Sequence, residues 1–197
     1  MYRRLQNNKV EYKLSILILT LKSRKDELDR LLKAINSQTI NKPVQVLYLG
    51  DNKSVTVGEK RNMILTLATG RYVTFIDDDD MISSKYIDTI LEAIESEPDV
   101  ITFNFEKTSN GTNRKLHKYY KDNGRAIYLS PDRTHYKMLP NHLSVWKRDV
   151  INKDFPNKSV SEDHNWAESM VGSYENVYNI DEVLYYYEYN KTKSETH

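Results

Sequence analysis

The stretch Tyr72-Val73-Thr74-Phe75-Ile76-Asp77-Asp78-Asp79-Asp80 joins an apolar run to four consecutive carboxylates. The β-branched and aromatic residues at its start are typical of a buried strand. Carboxylates repel one another and are rarely buried without a partner. This cluster therefore indicates a divalent cation at the carboxyl edge of a sheet, where oxygen ligands suit Mg²⁺ or Mn²⁺. The alternative interpretation is a solvated acidic turn that precedes the next helix.

Outward from this stretch, strands and helices alternate along residues 14–105. This order predicts an α/β fold with a Rossmann-like, mostly parallel sheet flanked by helices. No G-x-G-x-x-G follows the first strand, so a dinucleotide-binding fold is not expected. The predicted strands are the apolar runs 14–20, 44–49, 72–76, 100–105 and, near the end of the chain, 183–189.

Each predicted helix of this region begins near a residue that can cap it. Ser23 precedes the first helix and Thr56, with Glu59 three residues later, precedes the second. Ser83 or Ser84 precedes the third. The helices themselves are predicted from apolar residues at helical spacing.

Length and composition bound the class of protein. A chain of 197 residues fits one domain with a sizeable core. Its net charge of +1 gives no information about partners. The absence of Cys excludes disulfides and thiolate catalysis. No apolar run is as long as a membrane span, and residues 1–8 lack the apolar core of a signal peptide. We therefore expect a soluble, cytoplasmic protein.

Residues 107–148 differ from the rest of the chain in charge. They contain ten Lys and Arg but only two acids, Asp122 and Asp132, and Tyr and His are interleaved among them. Gly111 and Asn123-Gly124 indicate a hairpin-like excursion. The segment is either a solvated loop with long basic side chains or a face for a polyanion such as DNA, in which Lys and Arg meet phosphates and aromatic rings stack on bases.

A second acidic pair, Glu162-Asp163, follows Ser161 at the predicted start of a helix. Acids in a first turn favour the helix dipole, so capping alone is a sufficient explanation. The same position also suits a catalytic base, because the dipole keeps the carboxylate ionised. The residues alone leave both interpretations open.

Three motifs now carry a resemblance. They are G-x-x-R-N at 58–62, A-x-G-R-Y at 68–72 and F-I-D-x-D-D at 75–80. In this order they resemble the inverting family 2 glycosyltransferases with a GT-A fold. The resemblance covers most of residues 14–190 and is weakest at 107–140. It implies a single domain, with a nucleotide-sugar half at 14–105 and an acceptor half at 106–190 that contains a smaller mixed sheet.

The resemblance also implies roles for the donor-side residues. Thr20 and Asp51 would hold the nucleotide base and ribose, and Arg61 would lie against the nucleotide or its phosphates. Asp79 would bind Mn²⁺ or Mg²⁺ together with Asp77. Asp77 and Asp79 would be the two acids of a D-x-D motif. Asp77 or Asp78 would contact the ribose or the waters of the metal.

On the acceptor side, the resemblance implies that Asp163 is the catalytic base with Glu162 beside it. His142, together with Trp146, Lys147 and Arg148, lies where acceptor or diphosphate contacts are found in that family. One base suffices for a direct displacement that inverts the anomeric centre.

The implied reaction moves a sugar from a nucleotide sugar, with UDP as the expected nucleotide, to an acceptor hydroxyl. Two acceptors remain open. A hydroxymethylated pyrimidine in DNA is suggested by the basic segment 107–148. A cell-surface polysaccharide or teichoic-type polymer is the acceptor class more usual for such a family.

Other functional classes fit the sequence less well. A phosphatase-type hydrolase needs D-x-D-x-[TV] after the first strand, whereas here Met81 takes the fifth place and the acids follow the third strand. A nucleotidyltransferase needs a Gly-rich basic loop after the first strand, and Lys22-Ser23-Arg24-Lys25 has the charge but no Gly. A non-catalytic module that binds a nucleotide or nucleic acid is the remaining alternative.

Overall fold

The computed structural model describes residues 11–119, 127–128 and 136–189, and its elements alternate along the first half of the chain as predicted. That half contains β1 (Leu14–Leu21), α1 (Lys25–Thr39), β2 (Val44–Asp51), α2 (Val57–Leu65), β3 (Tyr72–Phe75), β4 (Met81–Ile82) and α3 (Tyr86–Ile94). The second half contains β5 (Val100–Ser109), β6 (Thr112–Tyr119), β7 (Ile127–Tyr128), β8 (Tyr136–Met138), β9 (Val145–Lys147), a 3₁₀ turn (Arg148–Val150), α4 (Glu162–Ser169) and β10 (Val177–Tyr189).

The strands β2, β1 and β3 lie side by side and are parallel, with β1 in the middle. Leu17 of β1 is level with Leu47 on one side and with Phe75 on the other. The carboxyl ends of the three strands therefore meet at one edge of the sheet. Ligands of open α/β sheets bind at such an edge, and the four carboxylates follow β3 there.

The rest of the sheet is mixed, as predicted for the second half. The short β9 runs antiparallel to both β3 and β5. Along its other edge β5 pairs with β10 in parallel, and beyond β9 it pairs with β6 in the antiparallel sense. The strand predicted at 183–189 is the second part of β10, which begins earlier and has a register shift between Ile180 and Val183.

Both faces of the sheet are covered, which explains why all of β1 is buried. Ile16 and Ile18 face a cluster that contains residues of α1 and α3. Leu17 and Leu19 face the other cluster, to which α2 and α4 contribute. A continuous apolar run is typical of a strand buried on both faces, because neighbouring side chains point to opposite sides.

The predicted helix caps are correct in part. Thr56 Oγ1 accepts a hydrogen bond from Glu59 N at 3.2 Å, as the motif predicts. Ser23 is the wrong residue for the cap of α1, since Arg24 takes that position and uses its side chain elsewhere. The prediction for α3 is wrong as well, because Lys85 precedes it without a side-chain cap. None of the helices in the described ranges has both the length and the apolar character needed to cross a membrane.

Candidate active site

Two of the four carboxylates are buried and anchor the turn after β3. Asp78 is 1% exposed and accepts hydrogen bonds from Thr20 Oγ1 at 2.7 Å and Arg24 Nη1 at 2.6 Å. Burial raises the pKa of Asp78 to about 6, although Thr20 and Arg24 act against this. Asp80 accepts from Tyr185 Oη at 2.5 Å, and burial raises the pKa of Asp80 well above its usual range. These two carboxylates fix the geometry of the edge.

The other two carboxylates, Asp77 and Asp79, keep 29% and 26% of their side chains exposed. Asp79 Oδ2 pairs with Arg24 Nη2 at 2.7 Å. Within the described residues, no group of three or more His, Cys, Asp or Glu is arranged to hold a metal ion. Mg²⁺ is commonly bound by one or two carboxylates together with substrate phosphates and water. The donor set of Asp77 and Asp79 fits a cation that is shared with a phosphate.

Arg61 lies behind this edge, on α2, and is 4% exposed. Its Nε is 3.3 Å from Glu162 Oε1 and its Nη2 is 3.4 Å from Asp77 Oδ1. The guanidinium also lies over the rings of Phe75 and Phe155, at 4.9 and 5.7 Å from their centroids. Its Nη1 is buried and has no hydrogen-bond partner among the residues that the structure describes. A buried charged group that lacks a hydrogen bond destabilises the protein. Because guanidinium donors match the geometry of phosphate oxygens, Nη1 is suited to bind a phosphate.

The G-x-x-R-N motif positions Arg61. A Cβ added to Gly58 would lie 2.0 Å from the carbonyl oxygen of Pro156, so only glycine allows this approach. Asn62 Nδ2 donates to the Phe155 carbonyl at 2.9 Å, and Phe155 N donates back to Asn62 Oδ1 at 2.8 Å. The two ends of the motif therefore dock α2 against residues 155–158, with the arginine between them.

Asp51 ends β2 at the same edge of the sheet. Its carboxylate accepts from Lys60 Nζ at 3.0 Å, from Ser54 N at 2.7 Å and from Val55 N at 3.3 Å. Burial raises the pKa of Asp51, but the hydrogen bonds of Lys60, Ser54 and Val55 outweigh it and hold that pKa well below its usual range. Asp51 is therefore an oriented, ionised acceptor near neutral pH.

His142 connects the edge to α4. It is 5% exposed, and its carbonyl oxygen accepts from Phe75 N at 3.1 Å. The imidazole Nε2 lies 3.5 Å from Asp77 Oδ2, and Nδ1 lies 3.4 Å from Asp163 Oδ2. Burial raises the pKa of Asp77, but His142 and Arg61 outweigh it and hold that pKa well below its usual range. The structure thus places His142 between Asp77 and Asp163, with Glu162 beside Arg61.

The remaining predicted acceptor residues lie elsewhere. Because β9 is antiparallel to β3, its later residues lead away from the carboxyl edge, and Lys147 is level with Tyr72 at the start of β3. Trp146 is buried against Trp166, with ring centroids 5.0 Å apart. Arg148 Nη1 donates to a backbone carbonyl, that of Ala68, at 2.9 Å. The structure does not bring Trp146, Lys147 or Arg148 together with the carboxylates.

Three residues of the site were not assigned to it from the sequence. Lys60 lies inside the G-x-x-R-N motif, and its place beside Arg61 was the signal that could have assigned it to the site. Arg24 lies in the basic loop after β1. Tyr185, on β10, donates to Asp80 and accepts from Asp77 N at 3.2 Å. No sequence pattern indicates that β10 returns to this edge.

The family model of glycosyl transferase family 2 matches residues 5–155, more than half of the chain. The chain belongs to glycosyl transferase family 2. The family and its GT-A fold are those that the resemblance implied. No curated protein matches the sequence of this family 2 enzyme.

Solved structures of other proteins share the fold of this family 2 enzyme. Residues 1–349 of S. aureus TarS in complex with UDP-GlcNAc match with a TM-score of 0.64 at 18% identity, covering 93% of this chain and 60% of that one. The complex of the same TarS fragment with UDP gives a TM-score of 0.63 at 16% identity, over 89% of this chain and 60% of that one. A197 from STIV gives 0.51 at 14% identity, over 86% of this chain and 82% of that one. The family 2 enzyme therefore spans about 60% of the TarS fragment.

Proposed function

We propose that this enzyme transfers a sugar from a UDP-sugar to an acceptor hydroxyl with inversion, assisted by Mn²⁺ or Mg²⁺. The observation that carries the proposal is the convergence of Asp51, Arg61, Asp79 and Asp163 on one edge of the sheet. The complex of TarS with UDP-GlcNAc supports a UDP-sugar as the donor.

The donor half of the domain, residues 14–105, would bind the nucleotide. Asp51 is an ionised acceptor, which suits an N–H donor such as the imide of uracil. Thr20 lies on the neighbouring strand, where it would contact the base or ribose while it holds Asp78. Arg61 would direct its unpaired Nη1 at a phosphate oxygen.

Asp79 and Asp77 would hold the divalent cation. Bound there, the ion would act as a Lewis acid that neutralises the charge of the departing diphosphate. The chain's own contribution is to hold both carboxylates at the edge; burial and the charge of Asp77 raise the pKa of Asp79, and Arg24 opposes this. Asp77 is held by His142 and Arg61, and Asp79 would exchange its contact with Arg24 for the cation.

Asp163 would remove the proton of the attacking acceptor hydroxyl. Its side chain is partly exposed, so an acceptor can reach it, and one of its oxygens lies 3.4 Å from His142 Nδ1. A single base is enough for direct displacement, which inverts the anomeric centre. Glu162 is largely buried beside Arg61, and burial raises the pKa of Glu162 although Arg61 opposes this. We therefore assign Glu162 to positioning Arg61.

The acceptor half would comprise residues 106–190. A hydroxymethylated pyrimidine in DNA, reached through the basic segment 107–148, is one candidate, and a cell-surface polysaccharide or teichoic-type polymer is the other. Residues 120–126 and 129–135 of that segment lie outside the described residues. Support for a polyanion therefore comes from the basic residues of β5 and β6.

Donor turnover tests the proposal. The purified enzyme with Mn²⁺ and a panel of nucleotide sugars should hydrolyse or transfer from a UDP-sugar, and Asp79→Ala should lose this activity. Asp88→Ala is the matched control, because Asp88 is an exposed carboxylate of α3 that pairs with Lys42. A wild-type enzyme that turns over no donor, or equal turnover in Asp79→Ala, contradicts the proposal.

A further inference from the structure

Arg30 of α1 connects three separate parts of the chain at the carboxylate edge. Its Nη2 donates a hydrogen bond to the backbone carbonyl oxygen of Asp79 at 2.7 Å. Its Nη1 lies 2.9 Å from Oε2 of Glu188, near the end of β10. One side chain therefore joins α1 and β10 to the turn that carries Asp79.

That turn, residues 77–80, is called the acid turn here, and its two ends are held by β10. Tyr185 Oη accepts from Asp77 N at 3.2 Å and donates to Asp80 Oδ2 at 2.5 Å. The backbone N of Glu188 donates to Asp80 Oδ1 at 2.7 Å. Across the turn, Asp80 N donates to the carbonyl oxygen of Asp77 at 3.1 Å. The first and last residues of the acid turn are therefore fixed from the strand side.

Arg30 restrains the acid turn between these ends, and it does so at the backbone of Asp79. The carboxylate of Asp79 is not involved, because it contacts Arg24. The rotamers open to a side chain depend on its backbone dihedrals, so a fixed carbonyl limits the directions in which the Asp79 carboxylate can point. Groups that orient a metal ligand without touching the metal commonly raise the affinity for that metal.

The contribution of Arg30 to the stability of the fold is expected to be small. Arg30 and Glu188 each keep 44% of the side chain exposed, and exposed ion pairs stabilise proteins little. The buried residues of α1 are Leu31 and Ile35, which pack in the core independently of this pair. Replacing Arg30 should therefore change the acid turn without unfolding the domain.

We propose that Arg30 is a positioning residue of the cation site: it holds the backbone of Asp79 and thereby orients the carboxylate that would bind Mn²⁺ or Mg²⁺. The inference rests on the proposed function, because that proposal assigns Asp79 to the cation. Charge repulsion alone predicts the opposite effect, since an arginine near the site repels a cation and its removal should strengthen cation binding. The sign of the change therefore separates positioning from repulsion.

The affinity for UDP, measured by calorimetry once with Mn²⁺ and once with EDTA, tests the inference. The ratio of the two affinities measures how much the cation contributes to UDP binding. Arg30→Gln should lower this ratio about tenfold and leave the affinity in EDTA unchanged. Arg30→Lys keeps a donor at this position and should restore part of the ratio. The matched control is Lys33→Gln, which removes an exposed positive charge from α1 and should behave like the wild type.

A ratio in Arg30→Gln that equals or exceeds the wild-type ratio would overturn the inference, as would an equal loss of affinity with Mn²⁺ and with EDTA. Urea denaturation should give the same midpoint for Arg30→Gln and the wild type, and a large fall would make the role merely structural. A wild type that does not bind UDP, or whose affinity Mn²⁺ does not raise, refutes the proposed function. A wild type that responds to Mn²⁺, with no effect of Arg30→Gln, refutes the positioning role alone.

Discussion

The Nδ1 atom of His142 lies 3.4 Å from Oδ2 of Asp163, and this contact joins the residues before β9 to the first turn of α4. His142 itself is held by the hydrogen bond from Phe75 N to its carbonyl oxygen at 3.1 Å. Its other ring nitrogen faces Asp77. His142 therefore lies between the proposed base and the carboxylates that follow β3.

Replacing His142 should affect catalysis more than donor binding. His142→Asn is expected to lower kcat for transfer by about 10- to 100-fold, as removal of an orienting partner commonly does, with little change in KM for the donor. Steady-state kinetics measure both quantities. His164→Asn is the control, because His164 is an exposed histidine of α4, the helix that carries Asp163. An unchanged kcat in His142→Asn would mean that Asp163 does not depend on this contact.

The variant Asp163→Asn tests whether Asp163 is a catalytic base or only stabilises the start of α4. Asp163→Asn should lower the transfer rate by about 10²- to 10⁴-fold, because the amide cannot accept the hydroxyl proton. UDP affinity, measured by calorimetry, should stay the same. The exposed carboxylate of Asp154 provides the control variant Asp154→Asn. Undiminished turnover in Asp163→Asn would show that Asp163 only stabilises the first turn of α4 and is not the catalytic base.

Arg24 occupies the place beside Asp79 that the proposed cation needs. Its guanidinium contacts Asp78 and Asp79 at 2.6 and 2.7 Å. Arg24→Gln should therefore bind Mn²⁺ more tightly than the wild type without nucleotide, since neither a competing cation nor its repulsion remains. Electron paramagnetic resonance of free Mn²⁺ measures this affinity. The control is Arg71→Gln, which removes the same charge at the start of β3 and should change the affinity for Mn²⁺ little. An affinity of Arg24→Gln for Mn²⁺ that equals or falls below that of the wild type would contradict a competition between Arg24 and the cation.

Asp99 ties the start of β10 to the start of β5. It accepts hydrogen bonds from Asn176 N at 3.0 Å and Glu175 N at 2.9 Å, and these bonds hold the pKa of Asp99 below its usual value. A carboxyl whose pKa is lower in the folded protein stabilises the fold above its unfolded pKa of about 3.9. That stabilisation disappears as the pH falls through the folded-state pKa.

Asp99→Ala should therefore lower the free energy of unfolding at pH 7 by about 1–3 kcal/mol. The difference from the wild type should shrink below pH 4. Urea denaturation at several pH values measures it. Asp29→Ala removes an exposed i,i+4 pair with Lys25 and should change the free energy of unfolding much less than Asp99→Ala does. A difference for Asp99→Ala that stays constant down to pH 3 would argue against the hydrogen-bonded carboxylate.

The fold was predictable where burial leaves a pattern in the sequence. The residues of β1 are apolar throughout because both faces of the strand are covered. The short β9 has only three residues, too few for an alternating pattern, and was not predicted. The cap of α1 was missed because Arg24 forms ion pairs with carboxylates far along the chain, which local propensity does not encode.

The structure brings together residues that were named from the sequence: Asp51 and the acids after β3 at strand ends, and Arg61 from the motif at 58–62 on α2. Their roles remain predictions. The acceptor side depends on the direction of β9, which the sequence does not specify. Because β9 is antiparallel to β3, His142 lies at the carboxylate edge while Lys147 lies at the opposite end of β3. The resemblance implied one role for both residues.

The central claim is that the edge formed by Asp51, Arg61 and Asp79 binds the nucleotide sugar opposite Asp163. A crystal structure of the protein soaked with UDP and Mn²⁺ tests it most directly. We expect electron density for UDP with its base near Asp51, its diphosphate near Arg61, and a cation between the diphosphate and Asp79. UDP bound at another place, or a diphosphate remote from Asp79, would contradict it.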